Sequence, residues 1–263
     1  MIAPQQAATG GTSPASEPAL FGVAHELPAG FRDPMHSHAR GQLLYAATGV
    51  MSVIADRMSL LLPPNRAIWL PAGTGHELQC RGAVSLRAIY MDEAIGDVLG
   101  GCCVLEVTGL LKALILEMVT LGLSPRGQRA EAIQGLLLTE LQHMERAPYR
   151  VPMPGSPRLY GLCQSMLQDP GDRRGIDQWA QAAGMSRRTF NRTFRRETGM
   201  TVILWRQQVR LMHAISLLQE GMSVTRVAYD IGYESSSYFT TMFQRAFGMP
   251  PAHFVSRGGR VAR

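Results

Sequence analysis

The C-terminal part of this 263-residue chain repeats itself, and the repeat constrains the fold more than any other feature. Trp179-Ala180-Gln181-Ala182-Ala183-Gly184-Met185-Ser186 returns as Val227-Ala228-Tyr229-Asp230-Ile231-Gly232-Tyr233-Glu234-Ser235, with Ala180/Ala228 and Gly184/Gly232 spaced 48 apart. After a second turn that is one residue longer, Phe190/Phe239, Phe194/Phe243, Gly199/Gly248 and Trp205/Phe254 are spaced 49 apart. A short helix, a glycine turn and a second helix therefore occur twice, which is the outline of a helix-turn-helix. The small Ala180 and Ala228 let the second helix cross closely. Gly184 and Gly232 permit a positive φ in the sharp turn. Ser186 and Ser235 suit the N-cap of the helix that follows, and Gly199 and Gly248 suit its C-terminal end.

The second helix of each unit divides by angle, at about 100° per residue. Phe190 and Phe194 are four residues apart, so they fall on one side and form a core stripe. Arg188, Asn191, Arg192 and Arg195 are turned well away from Phe190 and form one solvent-facing ridge of guanidinium and amide groups. Such side chains read G and A edges in a major groove. Arg187 and Arg196 lie on the flanks and suit phosphates. In the second unit Phe239 and Phe243 form the stripe. Ser237, Thr240, Thr241 and Gln244 hold the opposite ridge, with Ser236 at the helix start. These are shorter readers, so the first unit is expected to supply more base specificity and the second more backbone positioning. Residues 202–220 (VILWRQQVRLMHAISLLQE) predict one spacer helix of about 28 Å, which suits two recognition helices entering successive major grooves about 34 Å apart. Arg206 and Arg210 on it are candidate phosphate contacts.

Charge agrees with this division. Residues 150–263 hold 16 Lys+Arg against 7 Asp+Glu, a balance of +9, whereas residues 1–149 hold 10 against 13, a balance of −3. A basic half suits a polyanion such as nucleic acid, although a merely soluble basic domain has the same charge. The boundary is Pro148-Tyr149-Arg150-Val151-Pro152-Met153-Pro154-Gly155-Ser156-Pro157, whose four prolines predict an extended linker over 148–158. Before it, residues 20–105 read as short strands between Gly and Pro turns (42–46, 50–54, 67–70 and 84–90), as in a small barrel or sandwich. Over 106–147 the spacing becomes helical. Leu110, Leu114, Met118 and Leu121, then Ile133, Leu137, Leu141 and Met144, form apolar stripes that either seal a dimer or pack on their own barrel. From 159 to 256 every segment reads as helix.

Residues 159–257 resemble the DNA-binding domain of AraC/XylS-type bacterial transcription regulators. The second unit carries most of the likeness: Val227-Ala228-Tyr229-Asp230-Ile231-Gly232-Tyr233, Ser237-Tyr238-Phe239, Phe243, Phe247-Gly248-Met249-Pro250-Pro251 and Phe254. Thr201-Val202 replaces the family's usual Ser-Pro, and Tyr233 stands where Phe is frequent; neither lies on a reading ridge. The resemblance also points to Arg188, Asn191 and Arg192 as base-facing.

The acidic half holds a second pattern. Gly30-(x5)-His36-Ser37-His38-(x3)-Gln42-(x6)-Gly49 and Asn65-(x5)-Pro71-Ala72-Gly73-(x2)-His76 resemble the two motifs of the cupin barrel. Metal-binding cupins have His, His, Glu and His at the positions held here by His36, His38, Gln42 and His76. His36 and His38 alternate on a strand, so both rings face one side, and His76 would complete a three-nitrogen site for Zn, Ni or Fe. Gln42 is the departure, since a neutral amide ligates more weakly than a carboxylate. A metal site, a metal-free effector pocket and a structural histidine cluster all remain open. Tyr45, Trp69 and Tyr90 are candidate pocket walls or core residues.

The expected architecture is thus two domains: a cupin-like β-barrel with amphipathic helices, then an all-α domain of two helix-turn-helix units on a long helix. A flexible arm over 1–19 and a basic tail over 258–263 flank them. The first 20 residues lack a basic n-region and an apolar h-region, and no apolar run reaches the roughly 18–20 residues that span a bilayer. Cys80, Cys102, Cys103 and Cys163 form no CxxC pair or disulfide framework, which favours a reducing cytoplasm. The expected function is an effector-responsive regulator, activator or repressor. Its expected partners are double-stranded DNA, a small-molecule effector, a second copy of the chain and, for an activator, RNA polymerase. No cofactor is required and no catalysis is expected. The alternatives are a metal-dependent cupin enzyme fused to a DNA-binding domain and a nucleoid-type protein of little sequence preference.

Overall fold

The computed structural model describes residues 19–64, 66–80, 82–92, 99–144, 146–147 and 150–256. Asn65 of the second cupin-like motif, residues 1–18 of the expected arm, Pro148 and Tyr149 of the expected linker, and the tail of 258–263 lie outside the described residues. The chain divides into two compact units: residues 1–56 with 60–149, and residues 57–59 with 150–263.

The first unit is built on β1 (Leu20–Leu27), β2 (Arg32–His36), β3 (Gly41–Thr48), β4 (Met51–Ala55), β5 (Met58–Leu62), β6 (Arg66–Leu70), β7 (His76–Cys80), β8 (Val84–Met91), β9 (Cys103–Glu106) and β10 (Arg146–Ala147). One sheet has the order β1-β8-β3-β6-β9-β10, and the other carries the run β5-β4-β7-β2. The described pairings are antiparallel. Two sheets face each other without closing, so of the barrel or sandwich that the strand pattern allowed the fold is sandwich-like, where the cupin resemblance implied a barrel. β9 begins before the expected helical region and takes residue 106 into the sheet.

Helices α1 (Gly109–Leu121) and α2 (Gln128–Gln142) cover the outer face of the six-stranded sheet. Thr108 caps α1 by accepting from Leu111 N at 3.1 Å. Gly22 brings α1 onto β1, because a Cβ there would lie 2.7 Å from the Met118 carbonyl carbon. Leu114, Met118, Leu137 and Leu141 of the apolar stripes are buried with Leu43, Tyr45, Trp69 and Ile89 of the sheet. Much of each stripe therefore packs on its own domain. Leu110, Leu116, Leu123 and Leu136 remain exposed on the helices or the turn between them. Side chains alternate along a strand, so Tyr45 and Trp69 face the helices while Gln42 faces the other way. Of the three aromatic candidates for the pocket wall, Tyr90 alone shares the Gln42 row.

The second unit contains β11 (Arg150–Pro152), α3 (Pro157–Gln168), α4 (Ile176–Ala182), α5 (Arg187–Thr198), α6 (Val202–Gln219), α7 (Val224–Asp230), α8 (Ser236–Phe247) and α9 (Pro251–Ser256). Its start is extended, as Pro152 and Pro154 favour, but docked. Trp205 Nε1 donates to Pro152 O at 2.6 Å, and Gln208 Nε2 donates to Arg150 O at 2.8 Å. α4 with α5 and α7 with α8 are the two predicted helix-turn-helix pairs. Each buries its Phe stripe completely, with Phe190 and Phe194 at 0% and 1% exposure and Phe239 and Phe243 both at 0%. Burying one such ring stabilises by about 1.5–3 kcal/mol. α6 joins the pairs as one unbroken helix of 18 residues.

Candidate DNA interface and histidine site

The capping chemistry expected from the sequence positions the second helix of each helix-turn-helix, α5 and α8. Ser186 accepts from Thr189 N at 3.2 Å at the start of α5, and Ser235 accepts from Tyr238 N at 3.3 Å at the start of α8. Gly199 and Gly248 end them at φ 72° and 76°, in the left-handed region. An arginine lies against each of the two turns. Arg158 Nη1 donates to Ala183 O at 3.0 Å beside Gly184. Arg210 Nη2 lies where a Cβ on Gly232 would be 2.9 Å from it.

The first reading ridge is open to solvent. Arg187, Arg188, Arg192, Arg195 and Arg196 are exposed and Asn191 is partly exposed. Arg187 makes a surface ion pair with Asp177 at 3.3 Å, and Arg196 one with Glu197 at 3.6 Å. Such exposed pairs are weak and exchange readily with phosphate. On α8, Ser237, Thr241 and Gln244 are exposed, and Ser236 and Thr240 are partly so. The Thr240 and Thr241 hydroxyls donate to Ser236 O and Ser237 O at 2.9 and 3.1 Å, which leaves their lone pairs outward. Exposed Arg245 was missed by the angular reading, although the repeat spacing of 49 aligns it with Arg196.

Arg206 departs from the phosphate role expected for it. Its Nη1 donates to Arg174 O at 2.9 Å and its Nη2 donates to Asp172 O. Arg210 donates from Nε to Pro170 O at 2.9 Å and from Nη2 to Asp172 O at 3.2 Å. Arg174 lies 3.8 Å above the Trp179 ring and pairs with Asp172 at 2.6 Å. The same loop meets the second turn, since a Cβ on Gly171 would lie 2.5 Å from Asp230 O. Arg206 and Arg210 thus staple the loop before the first helix-turn-helix to the spacer helix and the second turn. Nothing in the sequence signals this, because carbonyl acceptors carry no residue code. A hollow of about 180 Å³, lined by Trp179, Arg206, Arg210, Tyr233 and Tyr238 among others, lies between the two modules.

In the first unit His36, His38 and His76 converge, their nearest ring nitrogens all within 4.8 Å of one another. His36 Nδ1 faces Pro34 O at 2.7 Å and His76 Nδ1 faces Thr74 O at 2.9 Å. A carbonyl only accepts, so each of these Nδ1 atoms carries a hydrogen and each ring turns its Nε2 inward. All three Nε2 atoms are buried without a hydrogen-bond partner. Burial, with His76 and His36 nearby, pushes His38 down to about 4. Burial likewise lowers His76, against its bond to Thr74. Gln42, stacked in register with Tyr90 and Phe21, bonds to Tyr90 and leaves its Oε1 buried and unpartnered. Tyr90 lies 5.9 Å from His38, centroid to centroid, and burial raises its hydroxyl to about 12. Orphaned, converging imidazole nitrogens are the donor set that a divalent ion needs, so the residues fit one.

Residues 179–257 match a family profile described as a helix-turn-helix domain. The chain is 30% identical over 228 residues to the HTH-type transcriptional regulator NimR of Escherichia coli K12, covering 85% of this chain and 82% of that one. The chain belongs to the AraC family of transcription regulators. Another AraC-type relative is the HTH-type transcriptional activator RhaR of Salmonella schwarzengrund, 30% identical over 129 residues, 48% of this chain and 46% of that one. Among solved structures, the DNA-binding domain of AdpA in complex with a target DNA is similar at 31% identity and TM-score 0.38, covering 39% of this chain and 93% of that one. As an AraC-family member, this protein is a DNA-binding transcription regulator. Among the described residues no helix is long and apolar enough to cross a membrane.

Proposed function

We propose that the regulator reads an asymmetric DNA site of about two turns through α5 and α8, and that a small molecule bound between the two sheets of the first unit controls this reading. The observation that carries the proposal is the pair of exposed polar ridges on two like modules, each opposite a fully buried Phe stripe. Arg188, Asn191, Arg192 and Arg195 read bases. Ser236, Ser237, Thr240, Thr241 and Gln244 supply shorter contacts, and Arg187 and Arg196 hold phosphates. The three orphaned Nε2 atoms support a divalent ion, Zn, Ni or Fe, as part of the effector site, with Gln42 beside it. The ion supplies a Lewis-acid centre that an effector's donor atom can occupy. Whether ion or effector fills the space, His36, His38 and His76 sense rather than catalyse, a reading supported by relatives named as regulators.

The exposed Leu110, Leu116, Leu123 and Leu136 support a homodimer through α1 and α2. The protein acts in the cytoplasm, as activator or repressor, and touches RNA polymerase where it activates. Selection of duplexes from a random pool by the full chain, with and without divalent metal, tests the proposal. It predicts an enriched asymmetric motif in two blocks about one turn apart. Recovery of unenriched DNA with a steep, uniform salt dependence would refute it.

A further inference from the structure

The cupin-like motif lacks its carboxylate at Gln42, but a buried carboxylate stands elsewhere in the same site. Asp33 is 2% exposed, and its Oδ2 lies 3.7 Å from His36 Nε2. In a regular strand, residues three apart point to opposite faces. Here the β2–β7 register shifts between Asp33 and His36, and this bulge turns both side chains to one side. Asp33 pairs in register with Leu78 and His36 with His76, two positions apart on β7 and therefore on one face.

The contact is too long for a hydrogen bond. His36 Nδ1 faces Pro34 O, so Nε2 is the ring nitrogen turned to the Asp33 carboxylate, 3.7 Å away. That separation is close to what a shared ion imposes: two ligand atoms, each about 2.1 Å from one tetrahedral ion, stand about 3.4 Å apart. Gln42, in contrast, already bonds to Tyr90.

We propose that Asp33, not Gln42, supplies the charged oxygen of a divalent-cation site built on His36, His38 and His76. This rests on the metal reading of the histidine cluster given above and assigns the ligand that the motif leaves out. A carboxylate halves the charge that a neutral three-histidine site would leave uncompensated. It also frees Gln42 Oε1 to accept from an N–H or O–H of the effector rather than ligate the ion.

The test uses the full chain, stripped by chelator and titrated with Co²⁺ and Zn²⁺, reading visible Co²⁺ absorption and stoichiometry. Wild type should take up one equivalent per chain. Asp33→Asn should weaken binding by about 10–100-fold, and Gln42→Ala should change it by less than about threefold. Asp33→Cys supplies a thiolate at the same place, and its Co²⁺ form should gain a sulfur-to-metal charge-transfer band absent from wild type. That band reports ligation, which a purely structural Asp33 would not produce, and circular dichroism checks that each variant is folded. If wild type binds no metal, the metal reading and the Asp33 assignment fall together. If wild type binds metal, Asp33→Asn matches it and Asp33→Cys shows no band, the Asp33 assignment alone is wrong.

Discussion

Replacing Arg206 by Ala separates two roles for a spacer-helix arginine. The substitution removes two hydrogen bonds from a charged donor to backbone carbonyls. Bonds of this kind contribute about 1.5–3 kcal/mol each when well formed. Neither acceptor is left bare. Arg174 O still accepts from Trp179 Nε1 at 3.1 Å, and Asp172 O still accepts from Arg210 Nη2 at 3.2 Å. The guanidinium is only partly buried, so the lower end applies and the expected loss is about 2 kcal/mol. It should appear as a lower denaturation midpoint of the C-terminal unit in urea titrations of the full chain. DNA affinity should fall through a loosened loop, with the slope of log Kd against log salt unchanged. Arg206→Lys should not rescue, because one ammonium cannot reproduce a planar fork spanning two carbonyls. A phosphate contact makes the opposite predictions: unchanged stability, a slope reduced by about 1, and substantial rescue by Lys. That second pattern would refute the staple.

Other expectations follow from single contacts. Arg188→Ala should cost about 1–3 kcal/mol at one base position and relax preference there, measured by competition between single-base variants of the selected site. Equal loss on scrambled DNA would contradict base reading. Phe239→Ala should destabilise the C-terminal unit by about 3–5 kcal/mol, since the ring is wholly buried; a change under about 1 kcal/mol in urea unfolding would be incompatible with the packing. Burial raises the Glu197 carboxyl, but bonds from Ser156 N and Oγ (3.0 and 2.9 Å) and nearby Arg196 outweigh it, so its pKa ends below the usual range. A lowered acid pKa gives stability that is present above the ordinary carboxylate range and lost as pH falls through the folded value. Glu197→Gln should therefore trail wild type by about 1–2 kcal/mol at neutral pH, with the gap closing in acid; a gap independent of pH would rule this out.

What the sequence made legible was periodic or paired. The duplicated Ala, Gly and Phe positions located both recognition helices, their caps and their turns, because each residue type meets one local demand. The cupin-like motif spacing brought His36, His38 and His76 together, but β2 ends at His36, so His38 is placed by the segment after the strand and not by strand alternation. What escaped depended on tertiary detail. The docking of Arg206 on carbonyls is invisible in a code of side chains. The β2 bulge that pairs Asp33 with His36 breaks the alternation on which strand reading depends. Tyr45 takes the core role open to it: it is three residues from Gln42, so in a regular strand it faces the other side, and it packs under α1 and α2.

Sequence-specific reading here requires two modules held by one helix against one duplex. Hydroxyl-radical and guanine-methylation protection of a selected site by the full chain tests this most directly. Two protected major-groove stretches one turn apart on the same face are predicted, with Arg188→Ala exposing only the one under α5. Protection of a single groove, or loss of both stretches together in that variant while its fold is intact, would contradict it.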